Sequence, residues 1–201
     1  VLRCFPKRAE FFMIAIYIVK RVIFMSTKPQ ATFIPLQVAV LTVSDTRNEQ
    51  TDTSGLYLCE VLKKAGHTVA AKKIVIDDVY QLRAQVSAWI AGSNIHAILV
   101  TGGTGFTSRD STPEALSVLF DKHIEGFGEV FRAQSFLEIG TSTIQSRALA
   151  GIANKTVIFC CPGSTGACKT AWGIIQPQLD ASHRPCNFVG QIMGTLVDIS
   201  K

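Results

Sequence analysis

The sequence predicts an α/β protein, a three-layer sandwich in which helices cover both faces of a mostly parallel central sheet. Short apolar runs rich in β-branched residues, such as VAVLTV at residues 38–43, are typical of strands buried on both faces. Segments with apolar residues at helical spacing alternate with these runs. Strands that alternate with helices indicate a parallel sheet whose crossovers lie on its two faces.

The first half of the chain contains three predicted strands and two predicted helices. The strands are residues 38–43, 68–76 and 95–100, and the helices are residues 53–65 and a segment that begins near Val79. Gly66 is a good stop for the first helix because glycine readily adopts the conformation that follows a helix C-terminus. Apolar residues at positions 79, 82, 86, 89 and 90 predict that the second helix is amphipathic.

The second half continues the alternation with one irregular stretch. Thr112 is predicted to cap a short helix, with Pro113 at its first position and Glu114 near the positive end of its dipole. Residues 157–161 read as another buried strand that leads into a helix. Residues 121–155 are expected to form short helices around an irregular segment, because Gly126 and Gly128 interrupt the pattern. One domain is therefore predicted over residues 33–190, followed by a C-terminal tail at 191–201.

The first residues differ in composition from the rest of the chain. An apolar run at residues 11–19 ends at Lys20 and Arg21, which is shorter than the roughly 20 residues a membrane-spanning helix needs. No small-residue cleavage site follows it, as a signal peptide would require. We expect residues 1–32 to lie outside the core and translation to start at Met25, with a membrane anchor and a native extension as the alternatives.

Charge and cysteine usage predict a cytoplasmic protein with neither nucleic-acid nor membrane partners. Four of the five net positive charges lie in the first 25 residues, so the body has no predicted basic surface for nucleic acid. The six cysteines contain no C-x-x-C pair and are predicted to be reduced core residues. The four histidines lack the spacing of metal ligands.

The segment TGGTGFTSRD at residues 101–110, here called the glycine loop, is the strongest functional signal. It follows a predicted strand directly, and ligands of open parallel sheets bind beyond the carboxyl ends of the strands. Gly102, Gly103 and Gly105 let the backbone approach a ligand closely, and their N–H groups with the Thr104 hydroxyl can bind an anion. The segment is neither a Walker A loop nor a dinucleotide fingerprint. The alternative is a flexible turn between a strand and a helix.

Two further strand ends carry polar groups. Pro162, Gly163 and Ser164 form a turn before a helix N-terminus, which favours phosphate, although an ordinary serine-capped helix reads the same way. The candidate carboxylates near strand ends, which could hold the metal of a magnesium nucleotide, are Asp45, Asp52, Asp77, Asp78 and Asp110. Most aspartates in turns are caps or solvated residues, and this is the expectation for Asp52.

These motifs resemble the molybdopterin-binding and adenylyltransferase family. The glycine loop continued to Ala115 is similar to the family signature, and Ser44 with Asp45, GFGE ending at Glu129, Ser146 with Arg147, and Pro162 with Gly163 follow in the same order. The likeness covers residues 33–190. Phe33-Ile-Pro35 and the segment from Ser164 to Trp172 are similar to the branch called molybdenum cofactor biosynthesis protein B.

The resemblance implies a molybdopterin-binding-like fold and transfer of AMP from Mg-ATP to the terminal phosphate of molybdopterin. It implies that Asp110 and Asp77, or Asp78 in place of Asp77, are the catalytic acidic residues and hold Mg²⁺. Ser44, the glycines, Thr104, Glu129, Ser146 and the 162–164 turn would bind substrate and nucleotide. A homotrimer or homohexamer is also implied. Thr165 stands where many members have proline, so a non-catalytic pterin-binding or scaffold protein remains an alternative, and a nucleotide hydrolase is a weaker one.

Overall fold

Within the part of the chain that the structure describes, six strands form one central sheet. The computed structural model describes residues 32–92 and 94–193, so the predicted leader, the start at Met25 and residues 194–201 of the tail lie outside the described residues. The strands are β1 (Gln37–Val43), β2 (Thr68–Val75), β3 (Ala97–Thr101), β4 (Lys122–His123), β5 (Leu149–Ala153) and β6 (Thr156–Cys161). Their order across the sheet is β2-β1-β3-β6-β5-β4. Four of them, β2, β1, β3 and β6, are parallel, whereas β5 is antiparallel to β6 and β4 to β5.

The helices pack on the two faces of this sheet and confirm the predicted α/β sandwich. They are α1 (Thr53–Lys64), α2 (Val79–Ala91), α3 (Thr112–Leu116), α4 (Glu125–Ile139), α5 (Thr165–Gln178) and α6 (Val189–Met193), with 3-10 turns at Ser117–Leu119 and Gly140–Gln145. Helices α1 and α4 both contact α5, and α2 contacts α3. The long apolar runs are the central strands, since every residue of β3 and β6 is buried.

The prediction for residues 121–155 was wrong, because α4 runs unbroken through both glycines. Phe127 and Phe131 on this helix are buried, and the Phe127 ring meets the ring of Phe159 edge-on at 5.1 Å between centroids. This packing outweighs the low helix propensity of glycine. At Gly128 a side chain would clash, because a Cβ there would lie 2.6 Å from the Ala148 carbonyl oxygen. The antiparallel pair of β4 and β5 was also not predicted.

Gly128→Ala is expected to destabilise the protein, whereas Gly126→Ala should not. The added methyl group at position 128 must displace the backbone at Ala148, the residue before β5. This displacement should cost about 1–3 kcal/mol of unfolding free energy. Gly126 has no atom within 4 Å of a built Cβ, so its substitution should stabilise the helix by roughly 0.5–1 kcal/mol. Urea unfolding of the two variants measures both values, and equal stabilities would contradict the close approach.

The start of α3 differs by one residue from the prediction. Ser111 occupies the cap position, and Thr112 is the first helical residue. The Thr112 hydroxyl donates to the Gly102 carbonyl oxygen at 2.8 Å, and the Ser111 hydroxyl donates to Asp77. Both hydroxyls therefore hold the glycine loop and its surroundings together.

The remaining predictions concern the C-terminus and the cysteines. Helix α6 runs past residue 190, where the domain was predicted to end, and it buries Ile192. The described cysteines are all free, and four of them are buried as predicted: Cys59, Cys160, Cys161 and Cys168. Cys186 is exposed, so the prediction of a core residue was wrong there. Among residues 32–92 and 94–193, no helix has both the length and the apolar character needed to cross a membrane.

Candidate functional site

A cleft of about 480 Å³ opens beyond the carboxyl ends of β1, β3 and β6. The turn after each of these strands contributes to it, and α4, α5 and the start of α1 complete its walls. The lining residues are Thr42–Ser44, Arg47, Ser54, Thr101–Gly105, Asp110, Phe131, Ser135, Glu138, Ile139, Ser142, Thr143, Gln145, Ser146, Pro162–Ser164, Gly166 and Ala167. The position is the one expected for ligands of open parallel sheets.

The glycine loop forms one side of the cleft in a conformation that needs glycine. Gly102 has φ +105° and Gly103 has φ +64°, both in the left-handed region that side chains disfavour. A Cβ on Gly102 would lie 2.2 Å from the Val43 carbonyl oxygen. The Gly102 N–H donates to the Cys161 carbonyl oxygen at 3.0 Å, so the loop is tied to the neighbouring strand end as well.

Arg147 braces the glycine loop from outside. Its Nε donates to the Gly105 carbonyl oxygen at 2.8 Å, and its Nη2 donates to the Asp110 carbonyl oxygen at 3.0 Å. Its Nη1 forms an ion pair with Glu114, and the guanidinium lies 5.1 Å from the centroid of the Phe106 ring. This role could not be predicted from local sequence, because these side-chain contacts join residues at least 33 positions apart.

Asp110 closes the loop and presents a carboxylate to the cleft. Its Oδ2 accepts hydrogen bonds from the Thr107 N–H at 2.9 Å and from the Thr107 hydroxyl at 2.5 Å. Burial acts to raise the pKa of Asp110, but the hydrogen bonds from Thr107 and the Gly105 backbone outweigh it and lower the pKa overall. The group is therefore ionised at neutral pH.

Asp77 lies behind the glycine loop and is not among the residues that line the cleft. Its Oδ1 accepts from the Ser111 N–H at 3.0 Å and from the Ser111 hydroxyl, and its Oδ2 would lie 2.6 Å from a Cβ built on Gly103. Burial is the main cause that raises the pKa of Asp77, and repulsion from the Asp110 and Asp45 carboxylates adds to it.

The neighbouring Asp78 has a different role. Its Oδ1 accepts from the N–H groups of Tyr80 and Gln81, so it caps the N-terminus of α2. Of the two aspartates that the sequence could not distinguish, Asp77 is the one that faces the glycine loop.

The 162–164 turn lies directly against the glycine loop. A Cβ on Gly163 would lie 3.2 Å from the Gly102 Cα atom, so the two glycine turns touch. Ser164 caps α5, since its Oγ accepts from the Ala167 N–H at 3.1 Å. Thr165 donates a hydrogen bond to the Thr53 hydroxyl at 3.2 Å, which joins the first turns of α5 and α1. Two glycine turns therefore meet at one cleft.

Residues 39–181 match the family model described as a probable molybdopterin binding domain. The chain belongs to this family. It is 62% identical over 157 residues to molybdenum cofactor biosynthesis protein B of Escherichia coli K12, covering 78% of this chain and 92% of that protein. The protein of the same name from Bacillus subtilis is 46% identical over 142 residues, covering 70% and 84%.

Solved structures agree with this molybdopterin-binding fold. A crystal structure of molybdenum cofactor biosynthesis protein B superimposes with a TM-score of 0.71 at 45% identity, covering 73% of this chain and 92% of that one. The tungsten cofactor synthesizing protein MoaB of Pyrococcus furiosus gives a TM-score of 0.65 at 40% identity, covering 72% and 92%. These matches confirm the family resemblance and the fold that it implied.

Most residues that the resemblance implied for this molybdopterin-binding domain lie together. Those lining the cleft are Ser44, Gly102, Gly103, Thr104, Gly105, Asp110, Ser146, Pro162, Gly163 and Ser164. Asp77 stands behind the glycine loop, as described above. Glu129 is exposed on α4 and is not among the lining residues.

Magnesium would fit the carboxylates of this domain only together with a phosphorylated ligand. Carboxylate oxygens suit Mg²⁺, which proteins commonly hold through one or two carboxylates plus substrate phosphates. Asp110 and Asp77 could supply these oxygens, whereas Asp45 is already paired with Arg109, whose Nη2 lies 2.8 Å from its Oδ2. Residues 32–92 and 94–193 contain no group of three or more potential metal ligands.

Helix α4 supplies one wall of the cleft that was not predicted from the sequence. Phe131, Ser135 and Glu138 line the cleft from this helix, and Thr143 and Gln145 follow from the 3-10 turn after it. The three α4 residues, at positions 131, 135 and 138, are spaced by four and three residues, as expected for one helix face. The signal was present in the sequence, but the expectation of an irregular segment concealed it.

Asp52 was expected to be a cap or a solvated residue, and only the first is correct. Its carboxylate caps α1 by accepting from the Gly55 N–H at 2.9 Å, but its side chain is fully buried. It accepts from the Thr42 hydroxyl at 2.9 Å and pairs with Lys72, whose Nζ lies 3.0 Å from its Oδ2. The pairing with Lys72 makes burial of this charge possible.

Proposed function

We propose that this protein acts in the cytoplasm in molybdenum cofactor biosynthesis, where it binds molybdopterin and transfers AMP from Mg-ATP to the pterin's terminal phosphate. The observation that carries the proposal is the convergence of two glycine turns and the ionised Asp110 on one cleft. Backbone N–H groups at such turns bind phosphate. Relatives named for molybdenum cofactor biosynthesis support the pathway.

The charges of the cleft explain why a metal ion would be needed. Among the lining residues, the charged side chains are Arg47, Asp110 and Glu138. This balance is unfavourable for two polyanionic reactants unless further positive charge arrives with them. Mg²⁺ bound with ATP would offset the phosphate charge, and Asp110, which lines the cleft, would hold it. Asp77, proposed as the second acidic residue, would act from behind the glycine loop.

Positioning is the main contribution that the chain itself would make. The phosphate oxygen of the pterin is already a nucleophile at neutral pH, so the reaction needs alignment with the α-phosphate of ATP and dispersal of charge. The glycine loop would supply N–H donors that are not already bonded within the protein, and Arg147 and Thr112 hold its carbonyl groups in place. Pyrophosphate leaves as the new bond to AMP forms.

A non-catalytic molybdopterin-binding or scaffold protein is the second candidate. It is favoured by Thr165, which stands where many family members have proline and whose hydroxyl bonds Thr53. The deciding experiment is incubation with molybdopterin and Mg-ATP, followed by mass spectrometry for adenylylated pterin and an assay for pyrophosphate. Formation of adenylylated pterin that is prevented by EDTA in the reaction mixture supports the transferase. Pterin binding without product favours the scaffold, and ATP cleavage without pterin indicates a hydrolase.

The proposed assembly is a homo-oligomer, a trimer or a dimer of trimers. Its support in the structure is a set of exposed apolar side chains on α4 and the turn after it: Val130, Phe136, Leu137, Ile139 and Ile144. Leu137 is 80% exposed, and Val130 lies seven residues before it on the same helix face. Exposed apolar patches of this kind mark interfaces between proteins.

Leu137→Lys is expected to dissociate this assembly. A charge placed in an apolar interface loses its hydration, which should weaken association at least about tenfold, equivalent to about 1.4 kcal/mol. Light scattering across a dilution series measures the change. Val118→Lys is the matched control, because Val118 is 65% exposed but lies on a different element. A wild-type protein that stays monomeric at 21.8 kDa would contradict the proposed assembly.

A further inference from the structure

The hydroxyl groups that line the cleft differ in which half of their hydrogen-bonding capacity is already used. A hydroxyl has one proton to donate and two lone pairs that accept. When its oxygen accepts backbone N–H groups, the proton is what remains for a ligand. When its proton is donated inside the protein, only lone pairs remain. Each class therefore selects a different part of a ligand.

Serines at the rim of the cleft belong to the first class. The Ser44 hydroxyl oxygen accepts the N–H groups of Thr46 at 3.2 Å and Arg47 at 3.1 Å. The Ser164 oxygen accepts the Ala167 N–H, as described above, and both serines are at least partly exposed. Their protons can be donated to a ligand, which suits an anion such as phosphate.

The hydroxyls of buried lining residues, which mark the inner end of the cleft, belong to the second class. Thr42 and Ser54 both donate to Asp52, at 2.9 and 3.4 Å, and both are 3% exposed. Thr143 is 6% exposed and donates to the Arg132 carbonyl oxygen at 3.3 Å. Toward the cleft these oxygens can only accept, so a phosphate oxygen would be repelled there and an N–H group would be bound.

Asp52 fixes this arrangement because it cannot donate a proton in return. Burial acts to raise the pKa of Asp52, but the Lys72 ammonium and the hydrogen bonds from Gly55 and Thr42 lower it overall. The carboxylate stays ionised at neutral pH and is an acceptor only. The Thr42 proton therefore stays on the Asp52 side, and only the lone pairs of this lining residue's hydroxyl remain for a ligand.

We infer that the ligand's nitrogen heterocycle occupies the inner end of the cleft and donates N–H groups to Thr42 and Thr143, while its phosphate stays at the rim near Ser44 and Ser164. The inference rests on the proposed function, since it takes the ligand to be a phosphorylated heterocycle. Both pterin and adenine carry an exocyclic amine that provides such N–H groups. The cleft volume of about 480 Å³ lies in the usual range for small-molecule sites.

Calorimetric titration with paired probes tests the inference. One pair is AMP and purine ribonucleoside monophosphate, which lacks the amine; the other is pterin-6-carboxylate and its 2-dimethylamino analogue, which lacks the amine's N–H groups. The wild-type protein should prefer the amine-bearing member of at least one pair by about threefold to tenfold. The pair that shows the preference identifies the heterocycle bound. Thr42→Val should remove the preference, and Thr42→Ser should keep it.

Two further variants separate the ends of the cleft. Thr143→Val leaves the Asp52 network intact and should also reduce the preference. Ser164→Ala should weaken AMP but not adenosine, because only AMP carries a phosphate. Absence of any preference in the wild type, or equal losses for both members of a pair in Thr42→Val, would overturn the inference while leaving the proposed function standing. Failure of the wild type to bind any of the probes would instead count against the proposed function itself.

Discussion

Asp110→Ala is expected to remove most Mg-ATP-dependent adenylylation while the protein stays folded. The variant loses the one carboxylate of the glycine loop that faces the cleft, and with it the proposed hold on Mg²⁺ and ATP. Losses of transition-state charge stabilisation commonly lower turnover by about 100-fold to 1000-fold. Turnover of molybdopterin with Mg-ATP measures the effect, and pterin binding should largely survive.

Measuring the stability of Asp110→Ala distinguishes a catalytic role of Asp110 from a role as a structural cap. Loss of the two hydrogen bonds from Thr107 to Asp110 should cost about 1 kcal/mol, which leaves the core intact. Asp110→Asn is the matched control, because it keeps an acceptor for Thr107 but removes the charge, so it should lose turnover with a smaller change in melting temperature. Normal turnover together with lowered melting would show that Asp110 is only a cap.

Asp52→Ala is expected to be the most destabilising of these substitutions. It removes the cap of α1 and leaves Lys72 beside an empty buried site, which should lower the free energy of unfolding by about 3 kcal/mol. Glu49→Ala is the control, because Glu49 also pairs with Lys72, at 2.7 Å, but its side chain is 72% exposed. It should cost at most about 1 kcal/mol. Equal losses in urea unfolding would contradict the importance of the buried pair.

The Asp52 contribution should also depend on pH in one direction. Because the folded protein lowers its pKa below the ordinary value of 3.8, the stabilisation is fully present above that pH. It is lost as the pH falls through the lower folded-state value, where the buried carboxylate takes up a proton. The difference in stability between the wild type and Asp52→Ala should therefore shrink in acid and stay constant near neutral pH.

The central sheet could be predicted because strands buried on both faces have continuous runs of apolar residues. The strands β1, β3 and β6 are continuous apolar runs, and the glycine turns after β3 and β6 follow them directly. Helix α4 was missed although its helical spacing is present, because Gly126 and Gly128 lower the local helix propensity and the packing that outweighs them, Phe127 against Phe159 of β6, joins residues distant in sequence. Local propensity contains no information about such contacts.

The residues of the candidate site also divide into those that the local sequence pattern predicts and those that depend on distant partners. Residues that belong to a strand end, such as Ser44 and Gly102, were found from their position in the pattern. The burial of Asp52 and the contacts of Arg147 were not, since both depend on partners distant in sequence, Lys72 for one and Gly105 with Glu114 for the other. The sequence does not distinguish a charged residue that is exposed to solvent from one that is buried among its partners.

The brace that Arg147 forms has a consequence for the energetics of ligand binding. One side chain joins two carbonyl groups of the glycine loop to Glu114 of α3 and lies against one face of the Phe106 ring. The loop has therefore lost its conformational entropy during folding, before any ligand arrives. A ligand that enters the cleft meets donors already at their final positions, so its contacts with the loop are not offset by the ordering of ten flexible residues.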